Sequence, residues 1–498
     1  MSESDQGGDR LFDASVRAGI ERSVERAHSS EQTRWVGHVI EANVEDALRC
    51  YAHAGSRDRF FWERVDADEF CCAWGSVHDV ESGGTGRFDD VRTWASDIRD
   101  RIDWIGCDRP PSAATFVGGF GFEEEATASS DWKAFPPARF ILPEVIVERR
   151  AGCARWVLFA RVEPGATSEV VEDALATRMK DAIAANRHED GRDDLLGAEE
   201  SIDWSPGPEY VVRADRSHAV FANQIRKAIR DIEKGAFAKV VLARSLSVDH
   251  DDQLDVVAFL GRLRLLYPTC TLIAVGRAHD TFLAATPETL VRVEGRSVDT
   301  AALAGSAPRG RQPEEDRALA EGLLASQKEN AEHAHVVAAI RGVLAPRCDS
   351  FEIPDAPCLR PLFGIQHLET RMRGRLRADV DGKNAVDVLE LVEALHPTPA
   401  VGGVPSDSAR AWLRRFEGLE RGWYAAPIGW LDIEGGGDFC VALRSALIRN
   451  ELGPIGESGA SRTFLFAGAG IVGGSEAVSE LAETRIKLRA LLAPLTEI

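Results

Sequence analysis

The chain has 498 residues, 44% of them hydrophobic, with 80 acidic against 59 basic residues and a formal net charge of −21. That length is ample for a large buried core. No apolar run reaches the roughly 18 residues a membrane helix needs, and the polar, acidic start of the chain lacks the basic-then-apolar pattern of a signal peptide, so a cytoplasmic protein is expected. The acidity argues against nucleic acid as a partner, because phosphate binding needs basic patches. Only eight of the basic residues are lysines. An acidic, lysine-poor surface is similar to that of proteins from salt-rich cytoplasm, where screening relieves repulsion between carboxylates. Nine cysteines, odd in number and without a CxxC pair, suggest neither a zinc site nor a disulfide framework, but reduced and mostly buried thiols.

In chain order, residues 1–32 read as a polar arm with a short helix. Residues 33–208 are strand-rich, with β-branched and aromatic runs such as Trp35-Val-Gly-His-Val-Ile and Arg139-Phe-Ile-Leu-Pro. A helix is expected over 169–186 and an acidic, turn-rich linker over 188–208. Residues 209–498 change texture. Helical stretches (213–234, 252–266, 313–345, 384–395, 406–418, 476–492) alternate with strands (238–249, 270–276, 282–285, 289–299, 425–433, 438–449, 463–467). Several strands follow one another without an intervening helix. The expected class is therefore α+β, with stacked antiparallel sheets and outer helices. Glycine-rich segments at Gly305, Gly402-Gly403 and Gly468-Ala-Gly470 fall at strand ends, where a ligand could approach the backbone. None has nucleotide-loop spacing.

Glu480, Glu483 and Lys487 stand at i, i+3 and i+7 and share one helix face. With Glu332 on a second helix, they could form a hard oxygen site suited to Mg²⁺; the same spacing also describes a solvated helix face. Lys239 opens the apolar strand Lys239-Val-Val-Leu-Ala. It is either a base whose affinity for protons is lowered by burial or a snorkelling strand-end lysine. Glu288, between two strands, is a candidate general acid or an ordinary turn residue. Arg444, in an apolar strand, suggests a buried carboxylate partner, internal or not. His367 and Tyr424 taken singly read as core residues.

Together these segments resemble the chorismate-binding enzymes. The motifs are Lys239-Val-Val-Leu-Ala-Arg244, Thr286-Pro-Glu-Thr-Leu, Ala302-Leu-Ala-Gly-Ser-Ala-Pro-Arg-Gly310, Ser326-Gln-Lys-Glu-Asn-Ala-Glu-His333, Gln366-His-Leu, Arg373-Gly-Arg-Leu, His396-Pro-Thr-Pro-Ala-Val-Gly-Gly403, Arg421-Gly-Trp-Tyr, Val441-Ala-Leu-Arg-Ser, Phe466-Ala-Gly-Ala-Gly-Ile and Glu480-Leu-Ala-Glu-Thr-Arg-Ile-Lys487. They run in family order across 209–492, with a looser match at Val117-Gly-Gly-Phe-Gly-Phe. The resemblance implies one large unit of stacked antiparallel sheets rather than several domains. Members that add ammonia carry glutamine where Lys239 stands; members that add water carry lysine. Lys239 therefore implies water addition at C2 of chorismate with loss of the C4 hydroxyl, giving isochorismate. By the same resemblance, Lys239 is the general base and Glu288 the general acid. Mg²⁺, the one cofactor implied, is held by Glu332 and Glu483, with Glu480 through water. Arg444, Tyr424, Lys487 and the backbone at Gly468 and Gly470 grip carboxylates. Gly305 and Ser306 line the pocket, and His367 contacts the ring region. Menaquinone synthesis is the expected use of the product and a monomer the expected state. Salicylate synthesis, a siderophore pathway, an ammonia-using synthase and a catalytically silent scaffold are the alternatives. Ser306 stands where threonine is commoner, Ala426 where glycine is, and Glu369 and Arg371 interrupt a usually apolar segment.

Overall fold

The protein is described by a computed structural model over residues 12–107, 113–125, 131–187, 210–378, 386–451 and 459–496. The expected linker at 188–208 lies outside these residues. Among the described residues, thirteen strands form one sheet and ten another. The larger sheet runs from Tyr210–Ala214 through Lys239–His250, Ser461–Val472, Ser445–Asn450, Asp280–Thr286, Thr271–Arg277, Arg59–Arg64 and Glu69–Trp74 to strands of the N-terminal stretch, ending at Ile102–Ile105. The smaller includes Ile365–Leu376, Ser297–Pro308, Thr289–Glu294, Gly437–Val441, Pro427–Leu431 and Phe116–Phe120 as successive neighbours. Among the described strands, only Arg34–Glu41 with Ile102–Ile105 pairs in parallel. The chain is thus α+β, as its strand succession predicts.

The larger sheet is covered on both faces. Phe60, Trp62, Ile273, Phe282 and Ala284 join the core shared with the smaller sheet, whereas Phe61, Leu272, Ala274, Leu283 and Ala285 join a second core under outer helices. Successive side chains point to opposite faces. A strand buried on both sides therefore reads as a continuous apolar run, and this is why these strands are visible in sequence. The helices Ala14–Ser30, Val256–Leu266 and Ala477–Thr496 cover the outer face. No helix among the described residues is long and apolar enough to cross a membrane.

Several expectations change. The short helix expected in the polar arm is a capped helix of 17 residues, Ala14–Ser30, that docks on the core. Asp13 accepts hydrogen bonds from Ser15 N and Val16 N, and Val16, Ile20 and Ala27 are buried. Three apolar positions form a narrow stripe that the surrounding charges mask. The stretch 313–345 is two helices, Pro313–Ala325 and Gln327–Leu344, separated by Ser326 in extended conformation with its hydroxyl accepting from Glu329 N. The signal was present as Ser326-Gln-Lys-Glu329, a capping-box pattern. The stretch 289–299 is a hairpin that turns at Gly295 (φ +54°). The stretch 438–449 is two strands in different sheets, Gly437–Val441 and Ser445–Asn450. Arg444 is therefore not in a strand; it stands at a crossover in the left-handed region (φ +48°).

A buried ion pair joins the sheets. Arg64 of the larger sheet donates to both oxygens of Asp438 in the smaller one, at 2.7 and 3.0 Å, and Asp438 is fully buried. Removing one member leaves the other charge buried and uncompensated. Asp438→Ala is expected to lower stability by about 3–5 kcal/mol in denaturant unfolding, whereas the paired change Arg64→Met/Asp438→Leu is expected to cost far less. A single variant as stable as the parent would exclude this role.

Candidate active site

The chain crosses between the sheets at two adjacent points, and both contribute to one cavity. The first crossover, Pro287-Glu288, joins Asp280–Thr286 to Thr289–Glu294. The second joins Gly437–Val441 to Ser445–Asn450 through Ala442-Leu443-Arg444. They are tied together: Thr286 Oγ1 donates to Val441 O at 2.6 Å, Val441 N donates to Glu288 O at 3.0 Å, and Glu288 N donates to Thr286 Oγ1 at 3.1 Å. A cavity lies beside them, walled by residues of both crossovers. Of the residues expected from sequence, Glu288, Gly305, Ser306, Glu332, His367, Tyr424, Arg444, Gly468, Gly470, Glu483 and Lys487 line it. Lys239 and Glu480 stand outside its wall.

Lys239 opens its strand fully buried, one contact behind the lining. Its Nζ is 2.9 Å from Glu332 Oε1. Burial alone would raise the Glu332 carboxyl, but Lys239, Lys487 and Lys328 outweigh it, and Glu332 lies below its ordinary range. The neighbouring strand makes room at Gly470, where a Cβ would stand 2.5 Å from Glu332 Oε1 and 3.1 Å from Lys239 Cε. Across the cavity Glu288 is buried, with Thr398 Oγ1 3.4 Å from its Oε1. Burial pushes its carboxyl up to about 7 against the opposing pull of Lys239, Thr398 and Lys487.

A polar chain forms another wall. Gly305, at φ +79°, makes the bulge between Ala304 and Ser306 in the pairing of Ser297–Pro308 with Ile365–Leu376. A side chain at 305 would press on Glu329, whose Oε2 accepts from Ser306 N at 2.9 Å. The Ser306 hydroxyl is 2.9 Å from His367 Nδ1, and Arg444 Nη2 donates to His367 Nε2 at 3.2 Å. Burial, Arg444 and Lys487 hold His367 well below its usual range, so it is neutral with the proton on Nδ1. Among the described residues, Arg444 finds His367 and the Cys270 sulfur, 3.8 Å from Nη1, and no internal carboxylate, which leaves the external partner that its setting also allows. Tyr424 stacks on Phe466 with centroids 5.3 Å apart.

The three expected metal ligands are each paired with a lysine. Besides Glu332 with Lys239, Glu480 Oε1 lies 2.9 Å from Lys328 Nζ, and Glu483 Oε1 lies 2.6 Å from Lys487 Nζ. Lys487 also donates to Gly468 O at 2.9 Å. No ready-made cluster of three metal ligands occurs among the described residues. The donor chemistry nonetheless fits a hard divalent cation. Burial and the adjacent Glu483 push Glu480 up, and a cation held near two such carboxylates would relieve that repulsion. Sequence reasoning missed Lys328, Glu329 and Thr398 as individual participants. All three lie inside the quoted motifs, but their pairings cross between elements.

The family described as chorismate binding enzyme matches residues 22–496. The salicylate biosynthesis isochorismate synthase of Pseudomonas aeruginosa is 35% identical over 490 residues, covering 97% of this chain and 94% of that protein. The isochorismate synthase MenF of Bacillus subtilis is 33% identical over 380 residues, covering 76% and 74%. Among solved structures, the menaquinone-specific isochorismate synthase MenF from Escherichia coli superposes with a TM-score of 0.71 over 96% of this chain and 100% of that one, at 23% identity, a likeness of fold. The chain belongs to the chorismate binding enzyme family.

Proposed function

We propose that this protein is an isochorismate synthase. The observation that carries the reading is the pairing of functions across one cavity: a buried lysine behind one wall and, at another, a carboxylic acid whose proton is held to near neutrality. Water must lose a proton to attack, and the departing hydroxyl must gain one. Acting as the neutral amine, Lys239 takes the proton of the water that adds at C2; Glu288 delivers a proton to the oxygen leaving C4. The double bonds shift between them, one water enters, one leaves, and no redox change occurs. Arg444, Lys487 and the backbone at Gly468 and Gly470 bind the substrate carboxylates, and Tyr424 packs beside them. Neutral His367 holds Arg444 in place on one side and Ser306 on the other. Mg²⁺, held by Glu332 and Glu483 with Glu480 behind them, would supply charge neutralisation for a ring carboxylate.

Two relatives named isochorismate synthases, one of salicylate biosynthesis and the other MenF, support the reaction as the shared element. Motif likeness favours menaquinone synthesis as the use of the product here. The reading takes the protein as a cytoplasmic monomer, and its acidic, lysine-poor composition favours function in high salt.

Incubating the protein with chorismate and Mg²⁺ in concentrated KCl is expected to yield isochorismate alone on chromatography. Salicylate with pyruvate, anthranilate formed only with ammonia, or no turnover would each replace the reading. Lys239→Ala is expected to reduce kcat about 10²–10⁴-fold, the ordinary contribution of a general base; full activity would remove Lys239 from that role. Glu483→Ala is expected to raise the Mg²⁺ concentration giving half-maximal rate, and an unchanged Mg²⁺ dependence would exclude Glu483 as a ligand.

The acid role fixes the sign of a pH effect. Glu288 must be protonated to act, so kcat/KM is expected to fall as pH rises through about 7, the value to which burial pushes it. A kcat/KM profile flat between about pH 6 and 9 would exclude Glu288 as the acid of the free enzyme.

A further inference from the structure

Beneath the cavity lies an ion pair that touches none of the reacting groups. Glu417 and Arg421 are each 3% exposed. Arg421 Nε donates to Glu417 Oε2 at 2.8 Å, and its Nη2 donates to Oε1 at 2.6 Å. The same guanidinium donates to two main-chain carbonyls, Val401 O at 2.9 Å and Val241 O at 2.6 Å. Glu417 Oε1 in turn accepts from Ala243 N at 2.7 Å. The guanidinium carbon lies 4.2 Å from the centre of the Phe122 ring and 5.9 Å from that of Tyr424.

Three segments meet on this pair, and each carries a wall of the cavity. Val241, itself in the wall, is two residues from Lys239 on the same strand. Val401, also in the wall, belongs to the turn that presents Thr398 to Glu288; Val401 N and Gly402 N both donate to Thr398 O. Tyr424 follows Arg421 by three residues, and its N donates to Arg421 O at 2.9 Å. The strand that bears Lys239 and the turn beside Glu288 also meet directly, because Val241 N donates to Gly402 O at 2.9 Å. The guanidinium thus spans the base side, the acid side and the aromatic wall.

A buried ion pair is weak as a source of stability, since apolar residues of similar volume often serve as well or better. What apolar residues cannot do is hold two carbonyl oxygens and a carboxylate in one plane. Arginine can, because its fork is rigid; lysine, a single point charge, cannot reach all three. Resting on the reaction proposed above, we infer that Glu417 and Arg421 act as a positioning pair that sets the separation between the Lys239 strand and the Thr398 turn, and so between base and acid.

The test uses the full-length protein with chorismate and Mg²⁺, comparing Arg421→Lys and the double variant Glu417→Leu/Arg421→Met with the parent. Both are expected to unfold cooperatively and to keep KM within about threefold, while kcat falls tenfold or more, as displacements near 1 Å can cost up to about 10²-fold. A folded variant with parental kcat, or a loss confined to KM, would overturn the inference. So would failure of both variants to fold, which would make the pair structural. A crystal structure of Arg421→Lys reads the geometry without turnover: Val241 and Val401 are expected to separate, and an unmoved wall would overturn the inference even if the parent proved inactive on chorismate. Parental inactivity would by itself remove only the proposed reaction.

Discussion

Glu332 reaches Lys239 because position 470 carries no side chain. A Cβ there would stand 2.5 Å from the carboxylate oxygen that pairs with the amine. A fully buried lysine is costly without a partner, so this contact governs what surrounds it. It sets where the helix Gln327–Leu344 must dock against the Lys239 strand and its neighbour Ser461–Val472. The break at Ser326 starts that helix at the right level. Glu329, on the turn before Glu332, then meets Ser306 on the smaller sheet. One ion pair and one capped helix start therefore link both sheets around the cavity.

The same economy of charge extends through the site. Lys239, Lys328 and Lys487 each hold one carboxylate of Glu332, Glu480 and Glu483. Three of the eight lysines in the chain are thus gathered here, while the molecule as a whole is strongly acidic. Arg444 adds a further positive group and, together with the larger effect of burial, keeps His367 neutral. Its left-handed backbone and that of Ala425, which donates from its N to Ala442 O, flank the second crossover. Non-glycine residues in that region carry a conformational cost and tend to occur where surrounding packing dictates the geometry. Here the packing is that of two sheets exchanging a strand connection.

How readily each element shows in sequence follows from its environment. Strands such as Asp280–Thr286 appear as plain apolar runs because both faces are covered. Ile365–Leu376 is harder to see. Arg371, Arg373 and Arg375 point outward between buried Thr370, Met372 and Leu376, so its period-two pattern is carried by charges around a glycine. The helix Ala14–Ser30 shows in sequence as shorter than it is, since a few buried positions suffice to dock it. The run 438–449 reads as one strand because the local sequence stays apolar through a crossover, and apolarity does not say which sheet receives it.

The sequence alone determined the α+β class and the chemical groups available. These depend on residue identity and local periodicity, which survive in one dimension. Tertiary structure alone decided the partners. It put Glu332 rather than solvent on Lys239, His367 rather than an internal carboxylate on Arg444, and Glu480 behind the wall rather than in it. It also drew Glu417 and Arg421 beneath three separate walls. Those outcomes depend on which strand ends the two sheets bring together. The affinity of a buried group for its proton, as at Glu288, follows from that meeting and not from its neighbours in the chain.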